Sequence, residues 1–151
     1  MADSVTGRIA AFLCGIGLPV RAGAVPTSFL PGIAIEGGVL VVDEDRLLYP
    51  GDLLHEAGHL ALLPRAVRSG LHGDAGDDPG LEMGAIAWSY AAALHLEIDP
   101  AIVFHEAGYK GASRSIIENF AARRYLGVPI LHWLGLTTME AYPRMQAWVR
   151  E

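Results

Sequence analysis

The 151-residue chain is 52% hydrophobic and 19% charged, a balance that excludes a disordered polypeptide and suffices for one domain, 1–151, with its own core. A net charge of −6 without any basic cluster speaks against nucleic acid as a partner. Cys14 is the only cysteine, which excludes an internal disulfide and a thiolate-rich metal site; a buried, inert thiol is expected there.

The segment Ile9 to Val20 is apolar but broken by Gly15, Gly17 and Pro19, short of the roughly 18 residues that a membrane span needs. No membrane partner is expected, and with no clear secretory pattern the default location is cytoplasmic. The high apolar content would suit a self-association surface, so a homo-oligomer is among the expected states.

In chain order, Asp3 or Ser4 caps a first helix that ends between Leu13 and Gly17, with Ile9, Phe12, Leu13 and Ile16 at helical spacing. Gly23 to Gly32, carrying Pro26 and Pro31, reads as an irregular connection. Ile33–Ile35 and Val39–Val42 flank Gly37-Gly38 and predict a β-hairpin. Asp52 is the expected N-cap of a helix of about twelve residues that Pro64 stops. Gly58 in its middle costs about 1 kcal/mol relative to alanine, which points to another backbone crossing close by.

A glycine- and aspartate-rich loop follows, from Arg65 to Asp78. Asp78-Pro79 opens an alanine-rich helix reaching about Leu96, and Asp99-Pro100 a short one. Ser113 or Ser115 starts a further helix. Tyr125 to Pro129 is a turn, Ile130 to Leu134 a short apolar segment, and Thr137 or Thr138 opens a last helix ending near Arg150. The expected fold class is α+β: a small hairpin or sheet on a mostly helical body.

The stretch His55-Glu56-Ala57-Gly58-His59 carries the chemistry. Residues four apart share one face of a helix, so both imidazoles can reach one ion, while the glutamate between them is placed to activate water. Neutral imidazole suits zinc, and an open fourth position leaves room for water.

These residues resemble the zincin metallopeptidases, and the arrangement as a whole resembles minimal gluzincins. The resemblance implies Zn2+ as cofactor, His55 and His59 as metal ligands, Glu56 as the catalytic general base, and a peptide or protein as substrate. It also implies a strand along the cleft that binds extended substrate, a place that Val39 to Val42 would take. A metzincin would need histidine where Arg65 stands.

A gluzincin takes its third metal ligand from a following helix. Glu82, 23 residues after His59, fits that pattern, with His72, Asp74, Asp77 and Asp78 in the preceding loop as alternatives. An oxyanion donor would come from His105, Tyr109, Tyr125 or His132. Two function classes follow: a zinc-dependent hydrolase, most plainly a peptidase, or a zincin-like module whose metal is structural or whose activity is lost. The intact Glu56 favours the enzyme.

Overall fold

The computed structural model describes residues 4–26, 28, 30–73 and 78–151, with the backbone alone at Lys110. It shows an α+β arrangement. Helix α1 (Val5–Gly15) is capped by Ser4, whose hydroxyl accepts from the Gly7 amide at 3.0 Å. Strands β2 (Ile33–Glu36) and β3 (Val39–Val42) form the expected antiparallel hairpin, with both turn glycines at positive φ, 58° and 79°.

Two strands were not legible in advance. β1 (Val20–Ala22) pairs parallel with β3, and β4 (His72–Gly73) pairs antiparallel with β2. The sheet order is therefore β1-β3-β2-β4. This corrects the expectation for Val39–Val42: the strand lies inside the sheet with a neighbour on each side, and so has no free edge to offer an extended substrate.

The motif helix is α2 (Gly51–Ala61), followed by the single turn α3 (Arg65–Arg68) and the long α4 (Pro79–His95). Leu53, Leu54, Ala57, Leu60 and Ala61 are fully buried and join Ile33, Ile35, Leu40 and Val42 of the sheet in one hydrophobic cluster. Gly58 meets α4 as its sequence position implied. A β-carbon there would lie 3.1 Å from the Ala85 carbonyl oxygen and 3.2 Å from the Trp88 ring.

Asp52 does not cap α2. Pro50 holds the cap position and the helix starts at Gly51, which places Asp52 inside the first turn. Gly51 is required by crowding, since a β-carbon would stand 2.1 Å from the Ile102 carbonyl oxygen. That oxygen belongs to α5 (Pro100–Val103), which Asp99 caps as expected. Asp78 likewise caps α4, accepting from the Gly80 and Leu81 amides.

A 3-10 turn (Tyr109–Gly111) and two short helices complete the described elements, α6 (Ser113–Ala121), which has no side-chain cap, and α7 (Val128–Trp133). The last segment is not the expected helix. Residues 137–150 form turns around the Tyr142–Pro143 bond, where a proline without an N–H interrupts any helical ladder. The segment is tied down all the same. Tyr142 donates to the Ala87 carbonyl at 2.6 Å, Trp88 Nε1 to the Trp148 carbonyl at 2.8 Å, and the Arg150 amide to the Ala61 carbonyl at 2.8 Å.

Cys14 is exposed, a correction to the expected buried thiol: it lies on the last turn of α1, next to the buried Leu13. No helix among the described residues is long and apolar enough to cross a membrane.

Candidate metal centre

Helix α2 presents His55 and His59 one turn apart, and the first turns of α4 bring Glu82 against them. His55 Nε2 lies 3.1 Å from Glu82 Oε1, and His59 Nε2 lies 2.7 Å from Glu82 Oε2. Each imidazole thus addresses its own carboxylate oxygen. The contact of α2 with α4 at Gly58 and Ala85 is what lets a side chain as short as glutamate reach both rings.

One ligand atom from each of the three residues falls within 4.8 Å of the others, so this group could hold a metal ion. Two histidines and one glutamate are the donor set of a catalytic zinc site. Neighbouring ligands at about 2.0–2.1 Å around a tetrahedral ion stand roughly 3.3 Å apart, so a group that lies within 4.8 Å needs side-chain adjustment to close on one ion.

His59 is nearly buried and the His55 side chain is 13% exposed, whereas that of Glu82 is 41% exposed. The group therefore opens to solvent on its Glu82 side. Burial desolvates the Glu82 carboxyl and acts to raise its pKa. Hydrogen bonds from His55 and His59, together with the charge of both rings, outweigh that and hold it far below the usual carboxylate range. It is a carboxylate at any physiological pH.

Glu56 is buried on α2 beside the first histidine. The His55 ring is set edge-on against two neighbours, with centroids 4.9 Å from His59 and 5.3 Å from Tyr109. Its Nδ1 is buried with no hydrogen-bond partner among the described residues, so packing orients this ring rather than a second hydrogen bond.

Of the four candidate oxyanion donors, only Tyr109 is in ring contact with the ligand group. Its hydroxyl is buried and unpartnered among the described residues, and its backbone is left-handed at φ 59°. Burial, and then the nearby Asp52, Glu82 and Glu56 carboxylates, push the phenol well above its ordinary pKa, so it remains a proton donor.

His105 is engaged elsewhere. Its Nε2 donates to Asp52 Oδ1 at 2.6 Å and its ring stacks on Tyr49 at 3.9 Å. Tyr125 packs against Phe120 and Tyr142, and His132 is exposed with Nδ1 accepting from the Met139 amide. Among the alternative third ligands, His72 on β4 accepts from the Gly37 amide in the hairpin turn and Asp78 caps α4, so neither joins the group. Asp74 and Asp77 lie outside the described residues.

The fold and the site together define an α+β protein with a His-His-Glu group able to hold a metal ion. Compared with known proteins, the chain matches no family model, no curated protein and no solved structure.

Proposed function

We propose that the protein is a zinc-dependent hydrolase of the gluzincin type, a peptidase. The observation that carries this reading is the meeting of His55, His59 and Glu82 within 4.8 Å, with a glutamate, Glu56, buried next to the first ligand. A structural ion needs four closed ligands and no base, whereas three ligands with a glutamate beside the first of them match a hydrolytic centre.

His55, His59 and Glu82 would hold the zinc, which when bound supplies a Lewis acid and lowers the pKa of water toward neutrality. Glu56 takes the proton of the attacking water and passes it to the leaving amine, the two proton transfers that amide hydrolysis requires. Tyr109 keeps its proton and donates a hydrogen bond to the carbonyl oxygen as negative charge develops there.

The test is metal analysis joined to a peptide-cleavage assay. The protein expressed with zinc should carry the ion and cleave a mixed peptide library. Glu82→Ala should lose the bound ion at nanomolar free zinc and the cleavage with it. A zinc-loaded chain that cleaves no peptide would refute the peptidase reading, and undiminished zinc affinity in Glu82→Ala would remove Glu82 from the ligand set.

A further inference from the structure

Asp52 is buried in the first turn of α2, one helical turn before His55 and Glu56, and so shares their face of the helix. A carboxylate leaves water at a high cost unless it is paired. Its partner is the His105 ring, whose Nε2 lies 2.6 Å from Asp52 Oδ1. The same ring lies flat on Tyr49, with centroids 3.9 Å apart and planes 9° from parallel. One imidazole is thus held by a hydrogen bond and by a stack, and both holds lead to the N-terminal end of the motif helix.

From His105 the backbone turns back at once. The Gly108 amide donates to the His105 carbonyl at 3.2 Å, and the Ala112 amide to the Tyr109 carbonyl at 3.0 Å. A β-carbon on Gly108 would stand 3.2 Å from His105 Cε1, so the turn wraps against the ring itself. Tyr109 follows at a φ of 59°, a conformation that a non-glycine residue keeps only where its surroundings enforce it. Its ring stands 5.3 Å from His55 and 5.3 Å from Phe104, edge-on to both. With no hydrogen bond to its hydroxyl among the described residues, its orientation is set by this turn and by ring packing.

We propose, resting on the peptidase reading, that His105 is a positioning residue: held by Asp52 and Tyr49, it fixes the turn that sets Tyr109 against His55, and it acts on peptide cleavage only through Tyr109. Two replacements of His105 separate this role from general packing. His105→Phe keeps a ring for Tyr49 and takes away the N–H that Asp52 accepts, whereas His105→Gln keeps an N–H. The first readout needs neither metal nor turnover. It is the NMR cross-relaxation between the Tyr109 and His55 ring protons in the full chain prepared without zinc. The contact should be present in wild type and in His105→Gln and lost in His105→Phe.

The second readout is turnover by the zinc-loaded protein. His105→Phe should lower kcat about tenfold with KM changed less than about twofold, and His105→Gln should restore most of the loss. In Tyr109→Phe protein the same His105→Phe replacement should cost no further kcat, because a residue that acts through Tyr109 then has nothing left to act on. If His105→Phe does not fold, Tyr49→Ala removes the stack at a half-buried position and should lose the contact and show the same non-additivity. An unchanged ring contact overturns the proposal. So does an equal kcat loss with and without the Tyr109 hydroxyl, which would give His105 a role of its own. Zinc-loaded wild type that cleaves no peptide sinks the peptidase reading, and the ring contact then decides alone whether His105 places Tyr109.

Discussion

On the proposed zinc-peptidase reading, Glu56→Gln is expected to lower peptide turnover by about 10²–10⁴-fold and to leave the zinc content of the protein unchanged. The expectation follows from where the side chain sits. Glu56 is 9% exposed on α2, one residue after His55, and is not among the three residues whose atoms converge. Glutamine has nearly the same volume, so the helix and its ligands stay in place, but an amide cannot take up the proton of the attacking water. Turnover and metal content are thus separated by one substitution, which removal of a ligand cannot achieve. Turnover close to wild type in the zinc-loaded variant would show that some other group handles the proton.

Gly127→Ala destabilises the fold by about 3 kcal/mol or more, combining left-handed strain with overpacking. Gly127 precedes α7 at φ 82°, and a β-carbon on it would stand 2.0 Å from the Met83 carbonyl oxygen and 2.5 Å from the Met83 carbonyl carbon. Neither backbone can yield cheaply, because Met83 lies in α4 directly after Glu82. For a chain of this length, a loss of that size lowers the melting temperature by about 10 °C. Gly135→Ala is the control. Its φ is 79° but nothing lies within 4 Å of the added carbon, so only the conformational strain of about 1 kcal/mol applies. Equal losses in the two variants would refute the close approach of α7 to α4.

Local signals in the sequence were sufficient for the elements that local signals build. Gly37-Gly38 between β-branched runs specified the hairpin, Ser4 and Asp78-Pro79 marked two helix starts, and Gly58 announced a close crossing that proved to be α4. β1 and β4 had no such mark. Val20–Ala22 and His72–Gly73 are three and two residues long and gain their place only from backbone pairing with distant strands. Pro143 stood inside the expected last helix, where a residue without an N–H breaks the ladder.

The site divides in the same way. His55 and His59 are fixed by one turn of helix, and Glu82 was legible through the gluzincin resemblance, which looks for a glutamate on the following helix that Asp78-Pro79 opens. Tyr109 lies far from His55 in the chain and reaches it through the course of α4, α5 and the turn after them, for which no spacing rule exists. A left-handed φ on a non-glycine residue and an unpartnered hydroxyl identify it only once the chain is folded.

That hydroxyl has a consequence for the free protein. A buried donor with no partner among the described residues costs about 1–3 kcal/mol, which the fold gives up at the position where the proposed substrate oxygen would arrive. Tyr109→Phe removes the unsatisfied group and keeps the ring against His55 and Phe104. The variant is expected to melt at a higher temperature than wild type and to turn over peptide more slowly, a trade of durability against work at a single atom. Thermal unfolding and turnover measured on the same preparation would show whether the two change in opposite directions.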